Sequence, residues 1–249
     1  VLKKFFLISK NWRNYMKYGK KLKSMLKDLG IAKVGYGYLG DILPESLKHL
    51  KTGISIAFRL SDQVIDDIHD GPTYSYFHHY RTVNFRLDQV MLSTVSKLQE
   101  WGYLAMPIAA SQSINTDGNR YRGIFPHKTA ATRAGIGWVG KSGCLVTDEY
   151  GPRVRLGTIL TNMEVDYDKP IKESKCGKCT SCVKACPALA IRGGLWYPGI
   201  ARKELVDARA CSEHMSTYYK HVGRGSVCGI CIKSCPQGNK VIKKAAKEV

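Results

Sequence analysis

The chain has 249 residues, 44% hydrophobic and 24% charged, a globular composition that excludes disordered and collagen-like classes. Thirty-nine Lys and Arg against 20 Asp and Glu give a formal charge of +19, which brings polyanions and acidic protein surfaces in as partners. No run approaches the roughly 18 to 20 apolar residues of a membrane span, so no membrane partner is expected. The run Phe5-Phe6-Leu7-Ile8 behind Lys3 and Lys4 is shorter than the h-region of a secretory signal. The expectation is a soluble, cytoplasmic protein whose nine cysteines are reduced and free to bind metal.

The first 27 residues carry nine Lys or Arg and no acid. Apolar positions such as Trp12, Leu22, Met25 and Leu26 recur at helical spacing, which predicts a basic helix over residues 1–30 that ends near Gly30. Its charged side reads as a solvated face, with an anion-binding surface as the alternative. Strands are predicted at Ile31–Tyr36 and Ser55–Leu60, with a short helix from Leu43 to Leu50 begun by Pro44. Val83, Leu87, Val90, Met91, Val95 and Leu98 give Tyr74–Trp101 one buried stripe, and Gly102 stops that helix. A strand at Tyr103–Ile108 completes a β-α-β rhythm, and the fold class expected is an α/β (α+β) layered domain.

Ser111 to Arg122 turns polar and reads as a loop. A short helix at Thr129–Ala134 and strands at Cys144–Thr147 and Arg155–Leu160 follow. Pro170 and the polar run 172–175 mark a boundary, giving an α/β unit over 31–170 and a cysteine-rich unit over 171–249.

Cys176-x2-Cys179-x2-Cys182-x3-Cys186-Pro187 has the spacing that two-cluster bacterial ferredoxins use for [4Fe–4S] clusters. In such proteins three thiolates wrap one cluster and the fourth cysteine reaches the other. Cys228-x2-Cys231-x3-Cys235-Pro236 lacks one local thiol, and Cys211 is the replacement at hand. Cys176, Cys179, Cys182 and Cys235 then complete one site, and Cys186, Cys211, Cys228 and Cys231 the other. Structural zinc is the alternative for paired C-x2-C motifs. Cys144 is left over, and reads as a small buried hydrophobe. Two clusters form an electron conduit, whose terminus is either a second protein or a redox centre held by residues 31–170.

Gly135-Ile136-Gly137-Trp138-Val139-Gly140-Lys141, Arg155-Leu156-Gly157-Thr158-Ile159-Leu160-Thr161 and the two cysteine sets with Cys211 between them resemble epoxyqueuosine reductases and the related reductive dehalogenases. The family pattern is AGLGWxGK, a short strand pair, CGxCxxCxxxCPTxAI, a lone Cys and CGxCxxxCP. The stretch Tyr74-x5-Tyr80 is similar to the start of the family's YxxGxDYH helix, without its Asp and His. The resemblance implies a cobalamin-binding-type domain joined to a ferredoxin-like two-cluster domain, with the clusters reducing a bound cobalamin. It implies that Gly135, Gly137, Trp138, Gly140 and Lys141 bind the cofactor, the glycines letting backbone approach a flat macrocycle.

In the family the proton donor is an aspartate, and counting back from Gly135 to its position lands on Tyr121, while Asp117 is out of register. A tyrosine acid needs a neighbouring cation, for which Lys128 or Lys141 is available. His127 reads as a surface residue or a phosphate contact, and Trp196 and Tyr197 as shields for a cluster. The function expected is a cobalamin-dependent iron–sulfur reductase, with tRNA epoxyqueuosine a candidate substrate. The alternative is a two-cluster electron-transfer protein or corrinoid-protein reductase without bound cobalamin. The partners expected are an electron donor such as ferredoxin or flavodoxin, and tRNA or another polyanion met by the basic helix and the tail Lys240, Lys243, Lys244 and Lys247.

Overall fold

The computed structural model describes residues 17–116 and 119–239. The expectations for residues 1–16, for Asp117 and for the basic tail lie outside the described residues.

Four strands form one sheet: β1 (Lys33–Tyr38), β2 (Thr52–Arg59), β3 (Ala105–Ile108) and β8 (Val154–Thr161), in the order β1-β2-β8-β3. Every ladder is antiparallel, with Lys33 opposite Ala57, Thr52 opposite Thr161 and Ile108 opposite Thr158. The β-α-β rhythm gives the expected mixed α/β layering: β2 and β3 run the same way, joined through the long helix Tyr74–Glu100, with the antiparallel β8 between them. Between β1 and β2 the helix expected from Leu43 to Leu50 is a single 3-10 turn at Glu45–Leu47 after Pro44. So short a connection returns the chain beside β1 and cannot carry it across a face of the sheet.

The central strands β2 and β8 are buried along most of their length, and their side chains alternate between two helical layers. On one face Ile54, Ile56 and Ile159 meet α3 (Tyr74–Glu100), whose predicted stripe from Val83 to Leu98 is wholly buried. Thr73 caps that helix by accepting from the Tyr76 amide at 3.0 Å. On the other face Ala57 and Leu160 meet α4 (His127–Arg133). This helix sits close because β1 has no side chains at Gly35 and Gly37. A Cβ at Gly35 would come within 2.1 Å of the Ala134 carbonyl oxygen.

The basic helix is described as α1 over 17–28, and Gly30 ends it with φ +86°. Leu22 and Leu26 are fully buried, and Lys23 pairs with Asp168 at 2.9 Å, so part of its charged side is docked on the protein. The loop expected from Ser111 to Arg122 is instead a hairpin of β4 (Ile114–Thr116) and β5 (Asn119–Arg122). Its strands carry almost no apolar residues, so the period-2 signal that reveals a half-buried strand is missing. A second small ladder joins β6 (Trp138–Val139) to β7 (Leu145–Val146). Between Asp62 and Asp66 the chain forms the one-turn helix α2.

Beyond β8 come short helices: α5 (Ser181–Ala185), α6 (Arg202–Leu205), α7 (Ala208–Tyr218) and α8 (Ile230–Lys233). They are not a separate oily layer. Val227 and Ile230 belong to the same buried cluster as Ile68, Tyr76 and Leu87. Arg153, whose side chain is only 1% exposed, pairs with Asp62 at 3.1 Å and Asp66 at 2.7 Å. Lys233 of α8 donates to the Asp66 carbonyl oxygen at 2.5 Å and stands 3.3 Å from its carboxylate. Removing the Asp66 carboxylate leaves a buried guanidinium with one fewer acceptor and loosens α8. Asp66→Ala is expected to cost about 3 kcal/mol, measured by urea denaturation of the cluster-loaded protein.

Candidate functional site

Cys176 and Cys179 lie in a turn before α5, closed by the Cys179 amide donating to the Cys176 carbonyl at 3.1 Å. Cys182 is on α5, and Cys186 caps its end with extended backbone. Cys211 is on α7, and Cys231 on α8 between Cys228 and Cys235. Gly229, with φ +83°, turns the chain from Cys228 into that helix, a conformation that glycine adopts without strain. All nine cysteines are free thiols.

The thiols act on one another in two groups. Burial, followed by the charges of Cys176, Cys235 and Cys179, pushes Cys182 up to about 11. Burial, followed by Cys228 and Cys186, pushes Cys211 up to about 11. Burial and then Cys186 raise Cys228. Cys231 is raised too, first by its hydrogen bond with Cys144, then by burial and by Cys228 and Cys211. Cys182 is thus influenced by Cys176, Cys235 and Cys179, and Cys211 by Cys228 and Cys186, with Cys144 acting on both. Among the described residues no group of His, Cys, Asp or Glu is gathered so as to hold a single metal ion. The first quartet reaches the surface through the exposed Cys179, while the second contains the buried Cys186.

Beside the second quartet lies a cavity of about 720 Å³, in the size range of small-molecule and cofactor sites. Its walls are the end of β3, β5 with the segment to Phe125, the start of α4, Gly143 to Leu145 and β8. Trp196, Ile200, Arg202, Leu205 and Ile232 close it from the cysteine-rich segment. Ile232 sits between Cys231 and Cys235 in the chain, so a cluster-binding loop forms part of the wall. Cys144 is also on the wall, with its thiol hydrogen-bonded to that of Cys231, so it is not simply the core filler its strand position suggested.

Tyr121 lines the cavity with its backbone at φ +65°, and its carbonyl accepts from Arg202 at 2.5 Å. Neither lysine expected beside its phenol is bonded to it. Lys128 donates to the Gly143 carbonyl at 2.6 Å and Lys141 to the Cys179 carbonyl at 3.0 Å. The cation whose charge the Tyr121 phenol influences is the exposed Arg209.

Gly135, Gly137, Trp138, Gly140 and Lys141 do not line the cavity. The room left by the missing side chains is taken by protein. A Cβ on Gly135 would stand 2.8 Å from the Lys169 carbonyl oxygen, and one on Gly137 2.2 Å from that of Val146. A Cβ on Gly140 would stand 2.8 Å from Val146 Cγ2 and 3.5 Å from Cys176 Sγ. The glycines let β6 and β7 close on one another and let the loop lie against the first quartet. Val139 and Leu145 of that ladder, with Gly143 and Cys144 from the connection between its strands, reach the cavity.

Three residues missed by sequence reasoning stand out on these walls: Arg155, Arg202 and Cys144. Arg155 had a signal, a charge inside an otherwise apolar strand; Arg202 had none. His127 is not a surface residue. It is half-buried, with Nδ1 2.9 Å from Thr158 Oγ1 and Nε2 2.9 Å from the Ala109 carbonyl. Trp196 faces the cavity, and Tyr197 is exposed.

Residues 175–238 match the family model of the 4Fe-4S double cluster binding domain. An epoxyqueuosine reductase of Gloeobacter violaceus is 40% identical over 122 residues, covering 46% of this chain and 36% of its own length. One of Listeria monocytogenes is 38% identical over 109 residues, 43% of this chain and 28% of its own. The chain is similar to epoxyqueuosine reductases. It spans about a third of the length of these curated relatives. Solved epoxyqueuosine reductases share the fold, one with a TM-score of 0.58 at 22% identity over 90% of this chain and 66% of the other. Another was solved with an epoxyqueuosine-modified tRNA stem loop, at a TM-score of 0.57 over the same shares. A catabolic reductive dehalogenase superposes with a TM-score of 0.66 at 18% identity over 88% of this chain and 32% of its own. Among the described residues no helix is long and apolar enough to cross a membrane.

Burial lowers the affinity of His127 for a proton, and Arg155 and Lys128 act in the same direction. The imidazole is therefore neutral, with Nε2–H donating to Ala109 and Nδ1 accepting from Thr158. Because its folded pKa lies below the unfolded value of about 6.5, its contribution is complete above that value and is lost as pH falls below it. Between pH 7.5 and 5.5 the wild type is expected to lose more melting temperature than His127→Gln, measured by calorimetry.

Proposed function

We propose that this chain is a two-cluster, corrinoid-dependent reductase of the epoxyqueuosine reductase type. Cys176, Cys179, Cys182 and Cys235 hold one [4Fe–4S] cluster, and Cys186, Cys211, Cys228 and Cys231 the other. The donor set fits: eight thiols in two mutually influencing quartets, within a segment that matches a two-cluster domain. Val139, Gly143 and Leu145 on the cavity wall would help hold a corrinoid. The loop 135–141 backs these residues rather than touching the cofactor. The single observation that carries this reading is the Ile232 wall, which sets the cavity against the loop of Cys231 and Cys235.

When bound, the clusters supply one-electron transfer and the corrinoid a strongly reducing cobalt centre. The chain does the rest. Electrons arrive at the first quartet, where Cys179 is exposed and Lys178 and Lys184 flank it on the surface, a charge pattern suited to an acidic donor such as ferredoxin or flavodoxin. Ile232, Leu205, Trp196 and Phe125 exclude water from the far end of the path. Tyr121 holds a proton at its Oη beside the cavity and delivers it to the reduced substrate. The substrate class is an epoxide-bearing nucleoside of tRNA, the substrate carried by one solved relative.

The test is anaerobic reconstitution with iron and sulfide, followed by hydroxocobalamin and an epoxyqueuosine-containing tRNA. About eight iron and one cobalt per chain are expected, with queuosine detected by mass spectrometry. Eight iron with no cobalt retained would instead indicate an electron-transfer module. Cys179→Ala is expected to lower iron to about four per chain and abolish turnover. Tyr121→Phe should retain iron and cobalt in full while turnover falls about 100-fold or more.

A further inference from the structure

The cavity wall carries Arg122, Lys128, Arg155 and Arg202, and no Asp or Glu among the described residues. Charged side chains taken out of water, as Lys128 and Arg155 partly are, are ordinarily paired with an opposite charge. Here the acceptors are all neutral. Lys128 donates to the Gly143 carbonyl at 2.6 Å and Arg202 to the Tyr121 carbonyl at 2.5 Å. Arg155 donates to Asn84 Oδ1 at 2.9 Å, to the Tyr80 hydroxyl at 3.2 Å and to the Ala110 carbonyl at 3.5 Å. Its guanidinium also stands 4.3 Å from the Tyr80 ring centre.

From this we infer that the cavity contains an anion subsite, formed by Lys128, Arg155 and Arg202, that takes a phosphate or carboxylate group. The three cations share one field. Desolvation lowers the Lys128 pKa, the neighbouring Cys144 opposes it, and Arg202 and Arg155 then press it further down. Burial alone would raise the Tyr80 phenol, yet Arg155 turns the net shift downward, as a guanidinium not neutralised by a carboxylate would do. An anion entering the cavity relieves the repulsion among the three cations and adds the carboxylate or phosphate charge that the wall does not supply. The geometry divides the labour. Arg155 is held rigidly by Asn84 and Tyr80, while Arg202 stands exposed on the side contributed by the cysteine-rich segment.

The inference deepens the reading of the cavity as the reductase's reaction chamber. Two sources can supply the anion: the phosphodiester in the nucleotide tail of the corrinoid, or an anionic group of the substrate. The probe is inorganic phosphate, titrated calorimetrically into cluster-loaded, cobalt-free protein, with cobalamin and the phosphodiester-free cobinamide titrated in parallel. One saturable phosphate site is expected, weakened at least 10-fold in Lys128→Met and in Arg202→Met and unchanged in the remote Lys220→Met. If the corrinoid tail is the source, phosphate competes with cobalamin, and the preference for cobalamin over cobinamide disappears in Lys128→Met. If the substrate is the source, both corrinoids bind alike and phosphate still binds the corrinoid-loaded protein. Absence of a saturable site, or equal affinity in wild type and both cavity variants, overturns the inference. Phosphate binding without uptake of either corrinoid would leave the subsite standing and defeat the reductase reading. Because Arg202 is exposed, its variant keeps the test valid should Lys128→Met fail to fold.

Discussion

Everything functional in this chain depends on where the turn from Cys228 to Cys235 is anchored. Val227 and Ile230 are buried in the same cluster as Ile68, Tyr76 and Leu87, and Lys233 is tied to Asp66, which Arg153 also grips. The hydrophobic contacts supply the attraction; the ion pairs fix the orientation. Removing apolar surface from water is insensitive to direction, whereas a guanidinium between two carboxylates accepts few geometries. As a result the second thiol quartet has a fixed position relative to the sheet, and Ile232 of the same turn becomes a wall of the cavity.

The order of parts follows from the same anchoring. The exposed Cys179 belongs to one quartet, and Cys231, next to Ile232, belongs to the other. The proposed electron path runs from the exposed Cys179 to Cys231 and the Ile232 wall of the cavity. The glycine loop serves this order from behind. Gly140 lets backbone lie beside Cys176, and Lys141 holds the Cys179 carbonyl, so a segment with the look of a ligand cradle is a support for the thiol turn.

Much of this was legible in the residues, and the parts that were not share a cause. The stripe from Val83 to Leu98 and the apolar runs of β2 and β8 report burial directly, because periodicity is a local property of the chain. Cysteine spacing is local as well, which is why the two-cluster segment could be recognised from separation alone. The antiparallel pairing of β2 with β8 could not, since about a hundred residues separate them and only tertiary packing selects the partner. The cavity was invisible for the same reason. Arg155, Arg202 and Cys144 come from three distant segments, and none carries a mark of the others. The β4–β5 hairpin was hidden because polar residues on both faces erase the alternation from which a strand is recognised.

Helix α7, which supplies Cys211, buries no side chain of its own. Its holds on the rest of the protein include the Tyr219 hydroxyl on the Asp70 carbonyl at 2.9 Å and the Asp207 cap at its start. On the proposed ligation, Cys211 would do for this helix what a disulfide does for a small secreted domain: the cluster would close the loops between Cys186, Cys211 and Cys228 and remove their entropy from the unfolded ensemble rather than have it overcome by a core. Iron would then be a structural crosslink as well as a redox group. A chain stripped of its second cluster keeps its sheet and its long helix, and the stretch between Cys186 and Cys228 becomes the segment a protease cuts first.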